Sequence, residues 1–356
     1  MRAWQLDRLG GELRLNNVPL PELRPGSVRV RLEASVLLSY LKEYVEGKLP
    51  FYSPPTGPFT IGTNGAGVVD EVGRDVWHLQ RGQRVLVSSH FIARDNVDNP
   101  AQILIGITSI GPDSGPVLAD WPDGTLADYA LLPVEAVIPV EGLEELNAIQ
   151  LAATSRFVVP FGGLIRGRLV AGERLIVTGA TGAFGSAAVL LGVAMGASKV
   201  VAAGRNAEAL QAVAQAGGPR VTPVQLTGVV EADAAALRAA TGGGAHMAFD
   251  MVGRARDPRA TLAALHSLRR GGRLVLMGSM TTELPIPYGL VMVNDLEIIG
   301  QFMYPRGAHR RLLDLLRSGL LDMSPIKAVV YPLAKLPEAM EAAASAGNLQ
   351  CVVMEP

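Results

Sequence analysis

Hydrophobic and polar residues alternate with a period of two near the start of the chain, which predicts short β-strands there. Residues 27–32 alternate valine or leucine with arginine, as expected for a strand with one buried face. Residues 67–72 and 84–87 are two further candidate strands. Residues 91–125 are polar, contain Pro and Gly, and have weak periodicity, so we interpret them as a long excursion from the strands.

The pattern changes after about residue 154, where short apolar segments alternate with helical ones. The predicted strands are 174–178, 199–203, 220–224, 246–251, 273–277 and 297–300, and the predicted helices between them are 186–195, 207–216, 231–240 and 261–268. This alternation indicates βαβ units and a parallel sheet, and six strands fit a doubly wound nucleotide-binding domain. The tail from about residue 305 predicts two amphipathic helices around a strand at 328–331, and it is too short to fold alone.

Composition narrows the functional classes. Charged residues make up 18% of the 356 residues, hydrophobic ones 49%, and the formal net charge is −1. Nucleic-acid and anionic-membrane binding both favour a basic excess, so we expect neither. No segment reaches the roughly 18 apolar residues of a membrane span, and the first residues contain no apolar signal region. We expect a cytoplasmic protein.

The chain contains a single cysteine, Cys351, and this limits both disulfides and metal sites. One thiol forms no intrachain disulfide, and cysteine-based zinc sites need at least two thiolates. The five histidines are far apart in sequence and show no metal-binding spacing. The sequence therefore predicts no bound metal.

A glycine-rich turn follows the strand at 174–178 and leads directly into a helix. In a dinucleotide-binding fold, Gly182 allows close approach of a pyrophosphate, and Gly185 allows close packing of helix on strand. Ala180 replaces the first glycine of the usual GxGxxG motif. The predicted cofactor-binding residues of this turn are Ala180, Thr181, Gly182, Ala183, Phe184 and Gly185.

The end of the next strand indicates which dinucleotide binds. An NAD site carries an acidic residue about 20 positions beyond the glycine turn, to bind the ribose hydroxyls. This chain has Gly204, Arg205 and Asn206 there, with no carboxylate. Gly204 leaves space, and the Arg205 guanidinium suits a 2′-phosphate. The residues favour NADPH, with a solvated surface arginine as the alternative for Arg205.

Several segments together resemble the medium-chain dehydrogenase/reductase superfamily, in its zinc-free quinone oxidoreductase-like branch. They occur in the family's order at 61–69, 72–73, 82–85, 172–175, 250–253, 271–278 and 296–300. The resemblance implies a GroES-like catalytic domain at 1–154 that is completed by 304–356, and a Rossmann domain at 155–303. It also places Gly278 and Ser279 among the cofactor-binding residues.

The departures from the family concern metal. Zinc-dependent members carry a catalytic cysteine where Leu38 lies, and a His-Glu pair at the positions of Thr63 and Asn64. Their structural-zinc lobe corresponds to residues 91–125, which contain no cysteine. Without zinc to stabilise an alkoxide, hydride transfer to a conjugated acceptor is easier, because the negative charge delocalises onto a carbonyl oxygen.

The resemblance therefore implies an NADPH-dependent oxidoreductase that reduces a quinone or an α,β-unsaturated ketone or aldehyde. One alternative is a zinc-independent alcohol or carbonyl dehydrogenase, and another is a non-enzymatic, crystallin-like NADPH-binding protein. The catalytic candidate is Tyr44, which matches a pocket tyrosine of similar reductases, although it could equally be a packed side chain. The other predicted pocket residues are Leu38, Ser39, Tyr40, Thr63 and Asn64. Members of this superfamily commonly pair their last Rossmann strands, here 296–302, so we expect a homodimer.

Overall fold

The computed structural model describes residues 1–356, which form two compact units. The first contains Met1–Ser155, Lys327–Ala346 and Gln350–Pro356, and the second contains Arg156–Ile326 and Gly347–Leu349. The sequence-based boundary at 303/304 differs from this division. Tyr304, Leu312 and Leu321 are buried in the core of the second unit, so the segment 304–326 belongs there.

Nineteen strands and eleven α-helices follow one another along the chain. Up to residue 153 they are β1 (Arg2–Leu6), β2 (Leu13–Asn17), β3 (Ser27–Val36), α1 (Leu41–Val45), β4 (Phe59–Thr60), β5 (Gly65–Val72), β6 (Arg84–Val87), β7 (His90–Ile92), β8 (Gln102–Leu104), β9 (Thr108–Ile110), α2 (Gly115–Asp120), β10 (Tyr129–Pro133), β11 (Val137–Pro139) and α3 (Ala148–Ala153). The next are α4 (Ser155–Arg166), β12 (Arg174–Thr178), α5 (Ala183–Ala194), β13 (Lys199–Gly204), α6 (Ala207–Gly217), β14 (Val221–Gln225), α7 (Val230–Ala240), β15 (Ala245–Asp250), α8 (Arg259–His266), β16 (Leu268–Leu276), α9 (Tyr288–Val293), β17 (Glu297–Gly300) and α10 (Ala308–Arg317). The last are β18 (Lys327–Pro332), α11 (Leu336–Ser345) and β19 (Gln350–Glu355).

The first unit is built on a seven-stranded sheet in the order β11-β6-β5-β3-β19-β18, with β10 also paired to β3. In β3, Val28, Val30 and Leu32 are buried, and the arginines between them are not, which gives the alternation seen in the sequence. The C-terminal strand β19 pairs antiparallel with β3 and carries the buried Cys351. This part of the tail completes the first unit.

The segment 91–125 folds into a small lobe whose apolar side chains pack together. Strands β7, β8 and β9 form their own antiparallel sheet, followed by α2. Phe91, Ile103 and Trp121 are buried in one cluster with residues of the large sheet. The Arg24 guanidinium lies 3.8 Å above the Trp121 ring. Hydrophobic burial therefore accounts for the stability of this lobe.

The second unit contains a six-stranded parallel sheet in the order β14-β13-β12-β15-β16-β17. This is the doubly wound Rossmann order, with the strand order reversing next to β12. Leu175 and Val177 of β12 pack in one apolar cluster, and Ile176 packs in another. Helices therefore cover both faces of the sheet, and the chain has the predicted α/β fold.

One helical stretch has the length and hydropathy of a membrane span. It is Ala148–Arg166, which comprises α3 and α4, and 67% of its apolar window is buried inside the protein. We expected from the sequence that no segment would be long and apolar enough to span a membrane, and this stretch is an exception. A helix that is mostly buried in a protein core passes the same test, since its apolar side chains face other protein atoms.

Candidate functional site

The glycine-rich turn between β12 and α5 depends on two close backbone contacts. Gly179 has a φ of 67°, and a Cβ atom there would lie 2.7 Å from the Met251 carbonyl oxygen. A Cβ atom on Gly185 would collide with the Gly179 carbonyl oxygen. Gly179 thus takes the left-handed position of the turn, and Ala180 is fully buried. Because Gly179 adopts the left-handed conformation, the turn tolerates Ala180 in place of the usual glycine. The sequence motif did not identify Gly179 as a residue of the site.

The first turn of α5 presents backbone amides that have no acceptor in the protein. Gly182 is the N-cap residue, and no side chain caps the helix. The N–H groups of Ala183, Phe184 and Gly185 donate to no protein atom. Free amides at the positive end of a 12-residue helix form a binding site for an anion such as a pyrophosphate.

The end of β13 carries the residues predicted to contact the ribose of the cofactor. Gly204 is buried, and a Cβ atom there would lie 3.3 Å from the Thr181 methyl carbon. Arg205 is exposed, and its carbonyl oxygen accepts a 3.0 Å hydrogen bond from Gln225 Nε2. Asn206 caps α6, since its Oδ1 accepts a bond from the Ala209 amide. Asn206 therefore has a structural role, and Arg205 is the charged group available to a ligand.

The loops after β15 and β16 are tied together at the carboxyl edge of the sheet, where dinucleotides bind in such folds. The Ser279 amide donates to the Val252 carbonyl, and Ser279 Oγ accepts a 2.7 Å bond from the Arg254 amide. A Cβ atom on Gly278 would lie 2.6 Å from the Val252 carbonyl oxygen. Gly278 thus shapes this edge through a close backbone contact, and Ser279 does so through its amide and its hydroxyl oxygen.

Asp250 is a buried carboxyl group at the same edge. The Thr178 hydroxyl donates a 2.7 Å hydrogen bond to its Oδ1. Burial raises the pKa of Asp250, although the hydrogen bonds from Thr178, Val252 and Thr261 oppose the shift. Sequence reasoning did not single out this carboxyl group. Its position at a strand end, after an apolar run, was the available signal.

In the first unit, the structure brings together the two segments of the predicted substrate pocket. The Val36 amide, just before Leu38, donates a 3.0 Å bond to the Asn64 carbonyl. Leu38 is half-buried and Ser39 is exposed, whereas Thr63 and Asn64 are buried. Asn64 Oδ1 accepts a 2.9 Å hydrogen bond from the Ser89 amide, which ties Asn64 to the segment that links β6 and β7.

The Thr63 side chain is an exception to the hydrogen bonding of this region. Its hydroxyl oxygen is buried and has no hydrogen-bond partner. A buried hydroxyl without a partner costs free energy, so such groups are rare in folded proteins. Thr63 therefore remains a predicted pocket residue, with its hydroxyl unavailable at the surface of the unit.

The side chains at the positions that the resemblance assigns to zinc do not fit a zinc ion. Leu38 has no donor atom, and Thr63 and Asn64 present a hydroxyl and an amide in place of an imidazole and a carboxylate. No group of three or more His, Cys, Asp or Glu side chains in residues 1–356 is arranged to hold a metal ion. Zinc sites in proteins use three or four such ligands.

Three tyrosines cluster beside α1. The Tyr44 and Tyr52 ring centroids are 5.4 Å apart, and those of Tyr40 and Tyr52 are 6.2 Å apart. Tyr44 is fully buried, and its hydroxyl donates a 2.6 Å bond to the Ile107 carbonyl. Burial raises the pKa of its phenol. These contacts favour the packed alternative for Tyr44 over the predicted catalytic role, because its proton is already engaged.

Tyr40 differs from Tyr44 in the hydrogen-bond partner of its hydroxyl, which is the Tyr52 hydroxyl and not a backbone carbonyl. It lies directly after Ser39, is half-buried, and has its hydroxyl next to that of Tyr52. Burial, and then the Tyr52 hydroxyl, raise the pKa of Tyr40 well above its ordinary value, which keeps the phenol protonated. Tyr40 is thus a neutral hydrogen-bond donor.

Comparison with known protein families decides the family of the chain. Residues 24–142 match the alcohol dehydrogenase GroES-like domain, and residues 183–318 match the zinc-binding dehydrogenase domain. The two matches follow the two units described above. The chain belongs to the medium-chain dehydrogenase/reductase superfamily.

Related proteins cover nearly the whole chain. The NAD-dependent alcohol dehydrogenase of Sulfurisphaera tokodaii is 25% identical, covering 99% of this chain and 98% of that protein. Mouse (Mus musculus) sorbitol dehydrogenase is also 25% identical, covering 96% of this chain and 93% of that protein. A Sinorhizobium meliloti 1021 structure, assigned as a zinc-binding dehydrogenase and bound to NADP, matches with a TM-score of 0.81 at 23% identity, covering 100% and 99% of the two chains.

These comparisons support an oxidoreductase of the dehydrogenase type. They do not confirm the zinc-free quinone oxidoreductase-like branch that the resemblance implied, because the relatives are alcohol and polyol dehydrogenases. Of the functions considered from the sequence, they favour the alcohol or carbonyl dehydrogenase over the quinone or enone reductase.

Proposed function

We propose that the protein is an NADP(H)-dependent alcohol or carbonyl dehydrogenase that works without zinc. The observation that carries the proposal is the replacement of metal-binding side chains by Leu38, Thr63 and Asn64 in a chain whose relatives are zinc-type dehydrogenases. The substrate class follows from relatives described as alcohol and sorbitol dehydrogenases.

The cofactor part of the proposal rests on the second unit. One relative is described as NAD-dependent and one structural neighbour holds NADP, so the local residues must decide between the two. Gly204 and the exposed Arg205 replace the acidic residue of an NAD site. When bound, NADPH supplies the hydride. The chain's own part is to bind its phosphates, with free amides at α5 and a guanidinium at β13.

The first unit must provide the proton that zinc-free carbonyl reduction requires. Hydride addition to a carbonyl carbon leaves an alkoxide, and a hydroxyl donor protonates that oxygen to give the alcohol. We propose Tyr40 as this donor; its proton goes to the alkoxide oxygen, and solvent water restores the proton through the adjacent Tyr52 hydroxyl. The Tyr44 hydroxyl donates to the Ile107 carbonyl, whereas the Tyr40 hydroxyl is hydrogen-bonded to another hydroxyl, that of Tyr52, which can pass on a proton.

A panel of acceptors tests this function directly. NADPH oxidation is measured with ketones, aldehydes, enones and quinones, each with and without a strong chelator, and zinc content is measured by elemental analysis. We expect turnover of simple carbonyl compounds, no loss of activity in chelator, and no stoichiometric zinc, because the ligand set that zinc needs is absent. Turnover of quinones and enones alone would contradict the proposal and would support the quinone or enone reductase instead. About one zinc per chain would contradict the proposal.

Two tyrosine variants extend the panel. Tyr40→Phe is expected to lower kcat for ketone reduction by about a hundredfold, the usual contribution of one general acid. Tyr44→Phe is expected to keep kcat and to lose about 1–3 kcal/mol of stability, because the buried Ile107 carbonyl loses its donor. The reverse result would restore Tyr44 as the proton donor.

Assembly and location are also proposals. We propose a homodimer formed through β17, the edge strand of the parallel sheet, because exposed apolar side chains lie around it. They are Tyr288, Met292, Val293 and Phe302. A cytoplasmic location is consistent with the single, buried Cys351.

A further inference from the structure

Arg156 is a buried cation that the sequence motifs do not explain. It is the second residue of α4, and only 4% of it is exposed. Its Nε donates a 2.9 Å hydrogen bond to the Ala183 carbonyl, and one of its terminal nitrogens donates a 3.1 Å bond to Ser186 Oγ. The same nitrogen also donates to the Asn348 carbonyl. Removing a guanidinium from water costs free energy, and these hydrogen bonds offset that cost.

The groups that Arg156 contacts surround the first turn of α5. Ala183 and Ser186 are residues of that turn, and Ser186 Oγ also donates a 2.7 Å bond to the Asn348 carbonyl. Asn348 Nδ2 donates a 2.8 Å bond to the Ala209 carbonyl of α6. Arg156 therefore fixes the turn that carries the free amides of the proposed phosphate site, together with the segment Gly347–Leu349.

The electrostatics of this position favour an anion. The N-terminus of α5 carries the positive end of the helix dipole, and a guanidinium beside it raises the local positive potential further. That arrangement is unfavourable for the protein alone and becomes favourable when a negative group binds at the free amides. Arg205 does not supply this charge, because it follows a different strand, β13, and is not a residue of the turn between β12 and α5.

We propose that Arg156 is a positioning residue for the cofactor's pyrophosphate, which it serves by fixing the first turn of α5 and by adding positive charge next to it. This inference rests on the proposed dinucleotide function. NADPH and NADH share the pyrophosphate and differ only in the 2′-phosphate. Arg156 therefore sets the affinity for both cofactors by the same factor, whereas Arg205 sets the ratio between them.

The test measures the dissociation constants of NADPH and NADH for the full-length wild type, Arg156→Gln and Arg156→Lys, at low and high salt. Arg156→Gln is expected to weaken both cofactors about tenfold, with an unchanged NADPH to NADH ratio and a weaker salt dependence than the wild type. Arg156→Lys keeps the charge and is expected to recover most of the affinity and the salt dependence. The matched control is Arg166→Gln, which removes an exposed arginine at the other end of α4 and should change neither constant.

A purely structural role gives different results. Arg156→Lys would then weaken binding as much as Arg156→Gln, and the salt dependence would not change. Unchanged affinity in a folded Arg156→Gln protein would also overturn the inference. If Arg156→Gln does not fold, Arg156→Lys and Ser186→Ala decide, since Ser186→Ala removes one acceptor of Arg156 and is expected to weaken both cofactors equally. Absence of NADPH and NADH binding in the wild type would instead contradict the proposed function.

Discussion

Two arginines of the second unit show that the same side chain has different uses at different depths. Arg205 is exposed at a strand end, where a charged ligand can reach it without displacing protein contacts. Arg156 is buried, and its donors are engaged with the backbone and with Ser186. The proposed roles follow from this difference: Arg205 can contact a phosphate directly, whereas Arg156 acts through the first turn of α5.

The cofactor preference can be tested at Arg205 and Gly204. Arg205→Ala is expected to weaken NADPH by roughly ten- to a hundredfold and to leave NADH nearly unchanged, because it removes a charge-assisted contact of about 1.5–3 kcal/mol to the 2′-phosphate. Gly204→Asp is expected to shift the preference toward NADH, and the 3.3 Å gap to the Thr181 methyl leaves room for a Cβ atom after a small adjustment. Equilibrium titrations with both cofactors measure the two effects. Equal weakening of both cofactors in Arg205→Ala would show that Arg205 does not read the phosphate.

The buried Asp250 predicts a specific dependence of stability on pH. Because burial raises its pKa in the folded state, its favourable contribution is complete below the ordinary aspartate pKa near 3.9 and is lost as pH rises through the folded value. Asp250→Asn keeps an oxygen to accept the Thr178 bond and removes this loss. The variant's free energy of unfolding should therefore improve relative to wild type as pH rises from about 4, measured by denaturant titration.

Asp257→Asn is the control for Asp250→Asn, because the pKa of Asp257 is shifted in the opposite direction. Its hydrogen bonds with Arg259 lower the pKa of the Asp257 carboxyl, so its contribution is present above the ordinary value and is lost as pH falls through the lower one. Parallel stability curves for wild type and Asp250→Asn across this range would contradict the role assigned to the buried carboxyl.

At the scale of elements, the parallel strands were easier to predict than the irregular segments. All six Rossmann strands lie where apolar runs between helical segments indicated them, because buried parallel strands need continuous apolar sequence. The segment 91–125 contains β7, β8, β9 and α2, none of which the sequence predicted. Its strands have three residues each, too few for a period-two pattern to be recognised.

In the glycine-rich turn between β12 and α5, the sequence motif indicated one of the two close contacts and missed the other. The motif indicated close packing at Gly185. In the structure a Cβ atom at Gly185 would collide with the Gly179 carbonyl oxygen, so the start of α5 does pack closely on the end of the strand. It did not indicate the left-handed turn at Gly179, since the motif begins one residue later. Similarly, the spacing of Tyr44 gave no information about the partner of its hydroxyl, which lies 63 residues away at Ile107.

At the scale of the whole molecule, the edge strand β17 is the feature with a testable consequence. Exposed sheet edges tend to pair with another strand, and the exposed apolar residues near β17 add surface that favours burial. We expect light scattering to give a dimer mass at micromolar concentration. Ile298→Lys, which places a charge in the half-buried edge strand, should shift the equilibrium toward monomer. A monomeric wild type would contradict the proposed assembly.

Ile286→Lys provides a comparison for this experiment. Ile286 is exposed and precedes α9, so the variant adds the same charge to the same unit without altering the hydrogen-bonding edge. An equal loss of dimer in both variants would indicate a general effect of charge on association, and a larger loss in Ile298→Lys would indicate pairing through β17.

The sequence by itself determined the α/β fold, the glycine-rich turn, the residues at the end of β13 and the single cysteine. Each of these depends on residues that are close in sequence, or on the simple presence or absence of a side chain. The tertiary structure decided the placement of 304–326 in the second unit, the engaged hydroxyl of Tyr44 and the contacts of Arg156. These depend on packing and hydrogen bonds between distant segments, and Arg156 reaches Asn348, 192 residues along the chain. Local patterns carry no information about such partners, because the fold alone brings them within reach.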